Sequence, residues 1–571
     1  MTNEQFLQQF GHFVDAPNGI QKLRELILQL AVQGKLVTQD PNDEPASEFL
    51  KKVRDRKTAN MAEKRYAKLK KLPSSEILDP AFDLPESWNW SILDEITYTV
   101  HYGYTASADH NKKGIRLLRI TDIQNNKVDW NSVPGCEINE KSYKANSLNE
   151  NDILIARTGG TIGKTYIVEN LSVKAVFASY LIRAIPSELM CPKYLKIFME
   201  TPLYWSQLYA KSAGTGQPNV NATSLRALQA PIPPLAEQHH IVAKVDELIA
   251  LCDQLETERN ARAATHHRLI RAVHHPLTEA SDTAATQTAW HRIRDNFADL
   301  YTTLESVQAL RQTILQLAVQ GKLVAQNLDE ESASVLIDRI SANKELLRLE
   351  NKIKKTKQLP PIAKEEEMFC APTNWMLTRF SDFSNEVATG PFGSMVHKSD
   401  YVSGGTPLIN PSHMIDGKVV PDDSVSVSIE KASELSSYKL FANDIVMARR
   451  GEMGRCALVE TEGEGWLCGT GSFVLRFHPD VNRRFVLMLF SSEHVRMYLG
   501  GNSVGTTMTN LNHGILNKMP VAVPPVAEQH RIVAKVDGLM ALCVQLEASI
   551  RNKNDIAARY ADAIVQQIAA A

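Results

Sequence analysis

Apolar positions along the chain follow a helical period in four stretches, which are two patterns each written twice. Leu23, Leu26, Ile27 and Leu30 fall at i, i+3, i+4 and i+7, one stripe along a helix, and Gly34 supplies the left-handed residue that commonly ends one. Residues 23–37, LRELILQLAVQGKLV, return at 310–324 as LRQTILQLAVQGKLV with thirteen of fifteen positions unchanged, and Gly321 stands where Gly34 does. Ile241, Val245, Leu248, Cys252 and Leu255 alternate by four and three, the seam of a coiled coil. This run also returns. Residues 233–256 and 524–547 share nineteen of twenty-four positions, with Ile532, Val536, Leu539, Cys543 and Leu546 on the second seam.

The offsets of 287 and 291 residues mean that one unit of about half the chain is duplicated. Between the repeated helices the two copies diverge. Short alternating runs such as NDILIARTG (151–159) and NDIVMARRG (443–451), broken by Gly, Asn, Asp and Pro, predict β-rich globules with local helices over 192–211 and 481–498. Each globule opens on a tryptophan-bearing approach, LPESWNW (84–90) or APTNWML (371–377), and ends in a polar loop, AGTGQPNVNATSL (213–225) or NSVGTTMTNLNHG (502–514). The pattern predicts an α+β fold: two mixed α/β domains separated by long antiparallel coiled-coil helices, internally duplicated with pseudo-two-fold symmetry. Its segments are 1–79 (helical repeat and basic connector), 80–235 (first domain), 236–369 (central helical spacer and connector), 370–525 (second domain) and 526–571 (C-terminal helix). Across the Ser/Thr/Ala-rich connector 278–289, the seam helix over 237–272 is expected to pair antiparallel with the short helix near 303–320. By symmetry the helix near 20–33 should pack on the one beginning at 527.

Composition narrows the function classes. A chain of 571 residues holds about three to five packed units. With 63 basic and 65 acidic side chains it lacks the excess charge of a stand-alone nucleic-acid binder. No run reaches about 18 uncharged apolar residues, residues 1–10 are too polar for a signal peptide, and seven cysteines without a C-x-x-C pair suit a reducing cytoplasm. GGTIGKT (159–165) has three residues, not four, before its Gly-Lys-Thr end, and its counterpart GEMGRCA lacks Lys and Thr, so neither is a phosphate-binding loop. The pairs His239-His240, His266-His267 and His274-His275 have no carboxylate or cysteine at ligand spacing, and read as surface residues rather than metal ligands. There is no G-x-S-x-G, no H-E-x-x-H and no Asn/Asp-Pro-Pro-aromatic stretch, which favours a non-catalytic chain.

QLAVQGKLV at 29–37 and 316–324, PxAEQxxIVAKVD at 234–246 and 525–537, and the DIL/DIV-x-x-R-x-G turns at 152–159 and 444–451, in this order and duplicated, make the chain resemble the specificity subunit of a Type I DNA restriction–modification system. The resemblance implies two target recognition domains, each reading one half of a bipartite sequence in double-stranded DNA. It implies helices that set the spacing and dock two methyltransferase subunits, with restriction subunits in the full complex. It places S-adenosylmethionine, ATP and Mg²⁺ on those partners and none on this chain, which would be cytoplasmic. The physical logic agrees: alike helices suit alike partners, and unlike globules suit unlike targets. A helix of 35–40 residues spans ~52–60 Å, somewhat over one turn of DNA. The rival expectation is an inert two-domain assembly scaffold without sequence-specific readout.

Candidate contact residues follow. The partner-facing helices are marked by Leu26, Leu30, Ile241, Val245, Leu248, Leu317, Ile532, Val536 and Leu539. Residues 51–71 hold ten Lys/Arg and two acids, a solvated face or a phosphate-attracting one, echoed by Lys352, Lys354, Lys355 and Lys357. Arg157 and Arg449 match across copies that should read different bases, so they are expected to be scaffold or backbone-positioning residues. Positions that differ are the candidates for base readout: Thr158 against Arg450, Lys164 against Arg455, and Gln217, Asn219 and Asn221 against Thr506, Thr507, Asn510 and Asn512. Arg pairs bidentately with guanine, and Asn or Gln with adenine, in the major groove.

Overall fold

A computed structural model describes residues 13–570 apart from 64, 67–71, 73–80, 113, 212–218, 281, 355–357, 368, 453 and 503–509. The chain forms two compact units, Met1–Ala263 with Lys553–Ala571, and Ala264–Asn552. Helices α1 (Gly19–Val32), α2 (Ala46–Ala62) and the 45-residue α3 (Leu235–Glu279) are followed in the second copy by α4 (Leu304–Val319) and the 45-residue α5 (Val526–Ala570).

In the first unit α1 buries Leu23, Leu26, Ile27 and Leu30 in one core with Ile241, Val245 and Leu248 of α3 and Ala561 of α5. Ion pairs flank this core: Lys22 Nζ lies 2.6 Å from Asp562, and Arg24 Nη2 lies 2.6 Å from Asp253 and 2.8 Å from Glu256. In the second unit α4 repeats the arrangement, with Leu310, Ile314 and Leu317 packed among Ile532, Val533 and Val536 of α5 and Ile270, Val273 and Leu277 of α3. Arg311, the counterpart of Arg24, reaches Glu547, the counterpart of Glu256, at 2.8 Å. The repeated glycines end α1 and α4 as their positions predict. Gly34 and Gly321 adopt φ of +71° and +69°, and a Cβ on either would meet Cγ of Pro85 or Pro372 at 2.5 Å. QGKLV and the tryptophan-bearing approach are therefore two halves of one contact.

Two expectations are corrected. The connector over 278–289 is largely helical: Asp282 Oδ1 accepts from Ala285 N and caps a helix over Thr283–Asp295. That helix carries the chain back, so α4 runs alongside the end of α3 in the same direction. Thr313 Oγ1 meets His274 Nδ1, and Lys322 reaches the Thr278 carbonyl. The predicted helices over 192–211 and 481–498 are each two, Pro192–Phe198 with Pro202–Lys211 and Arg483–Ser491 with Glu493–Asn502.

Each globule is built on four antiparallel strands in the same order. The first copy has β1 (Thr97–Tyr102), β2 (Ile153–Ala156), β3 (Thr165–Ile167) and β4 (Leu181–Pro186), ordered β1-β4-β2-β3. The second has β5 (Glu386–Thr389), β6 (Ile445–Ala448), β7 (Cys456–Leu458) and β8 (Ser472–Arg476), ordered β5-β8-β6-β7 and extended beyond β7 by Lys418–Val419 and Met414–Ile415. β2 and β6, the NDIL and NDIV segments, are buried at every position, which suits a strand with neighbours on both sides. A second small sheet packs with each: three strands in the first copy, four in the second.

Each globule leaves and rejoins its helices through a two-stranded ribbon, Asn89–Ile92 against Gln229–Ile232 and Met376–Arg379 against Pro520–Val523. The AEQ of the repeated motif locks each ribbon's surroundings. Gln238 Oε1 accepts from Cys191 N at 3.0 Å while its Nε2 donates to the Pro233 carbonyl, and Gln529 does the same with Asn482 N (2.9 Å) and the Pro524 carbonyl. Trp88 Nε1 donates to Glu237 Oε2 at 2.9 Å. Burial lifts the Glu237 carboxyl to about 7 against the opposing Trp88 bond. An unfolded glutamate titrates near about 4.3, so above that pH and below 7 the folded chain holds a proton that the unfolded chain has released. The stabilisation is complete below this window and is lost as pH rises through 7. Glu237→Gln keeps an acceptor for Trp88 without titrating. It is expected to flatten the fall of melting temperature across this window and to raise it at pH 8, measured by thermal unfolding at stepped pH.

Candidate nucleic-acid interface

The C-terminal ends of β1 and β2 and the start of β4 meet at one end of the first sheet, and the same ends of β5, β6 and β8 meet in the second. There the polar loop returns to the sheet. Thr158 forms an isolated antiparallel bridge with Asn219, and Arg450 forms the matching one with Asn510. Candidate residues about sixty apart in sequence thus lie side by side in each copy.

The details explain the arginine of the turn. Arg157 N donates to the Tyr180 carbonyl at 3.0 Å, and its own carbonyl accepts from Val220 N at 3.1 Å. Its Nε donates to Asn219 Oδ1 at 3.1 Å and its guanidinium lies 4.7 Å from the Tyr102 ring centroid. In the second copy Arg449 bonds Gly471 and Leu511 through its backbone, donates from Nε to the Leu511 carbonyl at 3.3 Å, and lies 5.1 Å from the Phe473 ring. Burial, with the adjacent Arg450 charge, pulls the Arg449 pKa below its ordinary value.

Around this frame Thr158, Lys164, Asn221, Arg450 and Asn512 are exposed, and Arg157, Asn219, Arg449, Arg455 and Asn510 are half-buried. Several are already engaged. Asn221 and Asn512 each cap a short helix, accepting from Ser224 N (2.8 Å) and Ile515 N (3.0 Å). Arg455 bonds Glu452 through Nε and Nη2 at 3.0 and 2.6 Å. Gln217, Thr506 and Thr507 lie outside the described residues. Tyr102 and Phe473, which carry the two arginines, are not apparent from the sequence because only strand register brings them there; a Tyr before Gly103 is the sole local hint.

Beneath the first frame lies a buried clamp. Arg183 Nη1 donates to Asp152 Oδ2 at 3.0 Å, and its Nε donates to His101 Nε2 at 3.0 Å. Burial and then the Arg183 charge lower the His101 pKa to about 4, so the ring is neutral, donating from Nδ1 to the Tyr102 carbonyl and accepting at Nε2. Arg476 and Asp444 repeat the clamp at 3.3 Å, with Glu386 at 2.6 Å in place of His101. The Asp of the shared turn motif is thus a clamp residue.

GGTIGKT is the turn between β2 and β3, with Gly163 N donating to the Ala156 carbonyl at 2.8 Å. Its strand–turn–strand setting differs from the strand–turn–helix of a phosphate loop. His239 and His240 are exposed, whereas His274 is buried between Tyr301 and Thr313, a correction to its reading as a surface residue. Among the described residues no His, Cys, Asp and Glu cluster could hold a metal, and no helix is long and apolar enough to cross a membrane. In the basic run Lys52, Arg54, Arg56 and Arg65 are exposed and each pairs with an acid, which favours the solvated-face reading for these four, whereas Lys57 is largely buried against Asp94. The named seam residues Leu26, Leu30, Ile241, Val245, Leu248, Leu317, Ile532 and Val536 are buried within the chain, and Leu539 is half-buried. They shape the helices, leaving any partner to the outward positions.

Residues 85–264 and 372–554, each a globule with the helix that follows it, match the Type I restriction modification DNA specificity domain. The chain belongs to this family. It is 31% identical over 565 residues to the EcoAI specificity subunit of Escherichia coli, a Type I restriction enzyme subunit, covering 96% of this chain and 93% of that one. It is 29% identical over 576 residues to the EcoEI specificity subunit of Escherichia coli, with the same coverage. A crystal structure of the HsdS subunit from Thermoanaerobacter tengcongensis covers 86% of this chain and 98% of its own at 16% identity and a TM-score of 0.40. As a specificity subunit the chain is a non-catalytic, DNA-recognising member of its system, with two recognition domains joined through long helices.

Proposed function

We propose that each recognition domain reads one half of a bipartite target in double-stranded DNA through the sheet end where turn and polar loop meet. One observation carries this reading: the same bridge, Thr158 to Asn219 and Arg450 to Asn510, frames exposed side chains that differ between the copies. Thr158 and Lys164 then face one half-site and Arg450 the other, with Gln217, Thr506 and Thr507 as further contacts. Asn219, Asn221, Asn510, Asn512 and Arg455 hold the frame or touch bases through their remaining groups. The long helices set the half-site spacing and dock two methyltransferase subunits on their outward faces, and restriction subunits join the full complex in the cytoplasm. S-adenosylmethionine belongs to the methyltransferase subunits, and ATP and Mg²⁺ to the restriction subunits.

The test is electrophoretic mobility of the subunit with its methyltransferase on duplexes carrying the genomically mapped target. Scrambling either half-site is expected to weaken binding by about 10³-fold or more, the usual gap between specific and non-specific DNA affinity. Equal shifts for all duplexes would leave only an assembly scaffold.

A further inference from the structure

We infer that Arg157 is a positioning residue, a strut that fixes the first domain's polar loop in register with the β2–β3 turn and itself contacts neither base nor phosphate. The inference rests on the reading that this sheet end meets DNA. Two of its attachments run directly to the polar loop, and a third reaches it through Tyr102 at the end of β1. Its carbonyl accepts from Val220 N at 3.1 Å, its Nε donates to Asn219 Oδ1 at 3.1 Å, and its guanidinium covers the Tyr102 ring, whose hydroxyl accepts from Ala222 N at 3.1 Å. The fourth, from its N to the Tyr180 carbonyl, pins it to the sheet. Arg449 is held alike at the same place in a domain whose exposed residues differ. A base reader shared by two unlike half-sites would carry no discrimination, whereas a strut serves both.

Asn219 belongs to the same device. Bidentate recognition of adenine uses both the oxygen and the nitrogen of a carboxamide, and the Asn219 oxygen is occupied by Arg157. Releasing the strut lets the loop shift as a body, so every base pair it reads should be affected together.

The experiment uses the subunit with its methyltransferase on target duplexes, with single-base-pair variants of each half-site, over a salt series. R157A is expected to weaken target binding about tenfold or more, as loss of a charged hydrogen bond implies. It should lose discrimination at several base pairs of one half-site together, keep the other half-site, and leave the slope of log affinity against log salt unchanged. N219D, which keeps an acceptor for Arg157 but adds a negative charge beside the DNA, should lower overall affinity and yet keep the unaltered protein's discrimination at every base pair of that half-site. N219A should behave as R157A, and the double variant should be no weaker than the worse single one. A slope shallower by about 0.9 would make Arg157 a phosphate contact, and a loss confined to one base pair would make it a reader; either overturns the inference. A merely structural role would lower both half-sites together and would not be rescued by N219D. Should R157A fail to fold, the N219A and N219D pair decides between strut and reader by the same measurements. Absence of half-site dependence in the unaltered complex would instead remove the underlying reading, and the inference with it.

Discussion

Exchanging residues 93–228 for the same stretch of another specificity subunit should replace one half of the recognised target and leave the other half as it was. The junctions make this a clean cut. Asn89 pairs with Ile232 and Ile92 with Gln229, so the strands entering and leaving the domain lie side by side. The graft therefore closes on a ribbon the host keeps. Trp88, Gly34 and Glu237, which fix the approach, stay with the host. The expected change in half-site preference is the full specific-to-non-specific range, about 10³-fold or more. Sequencing of modified bases in cells carrying the exchange reads it directly. A change in both halves would mean that the domains do not read separately.

The second large effect concerns the clamp. Asp152→Ala leaves the Arg183 guanidinium buried without its carboxylate; the two side chains are only 3% and 5% exposed. Breaking such a pair from one side costs about 3–5 kcal/mol, because the remaining charge keeps its desolvation cost. Asp444→Ala should cost less than half as much, since Arg476 retains Glu386 at 2.6 Å and is itself 27% exposed. Urea denaturation followed by hydrogen exchange on β2, β4, β6 and β8 separates the two domains. Equal losses would show that Glu386 does not substitute for Asp444.

Legible in the chain is whatever depends on neighbours within a turn or two of helix or strand. The stripes at Leu23–Leu30 and Leu310–Leu317 carry their own period, the glycines that end them their own conformation, and the continuous apolar runs at 153–156 and 445–448 their burial on both faces rather than the expected alternation. The halves of each contact do not. Glu237 and Gln238 stand out as repeated residues on a helix, and their partners, Trp88 and the backbone of Cys191, lie far away in sequence. Shared helix positions therefore look available for another protein when the chain uses many of them itself. The logic of duplication separates Arg157 from base readout, yet Tyr102 beneath it needs strand register. Asp282 is the one local signal that the connector's composition hides: an N-cap ahead of an alanine-rich run, inside a stretch that otherwise reads as a linker.

The glutamines of the repeated motif carry a consequence for how such proteins diversify. Gln238 and Gln529 grasp their domains through main-chain amides alone, at Cys191 and Asn482, two residues of different type. At these two positions the helix senses backbone, so the domain's side chain there is free to differ. Such positions stay unchanged in the receiving helix when a new domain is spliced in, whereas side-chain contacts such as that of Arg484 with Asp537 must be matched again.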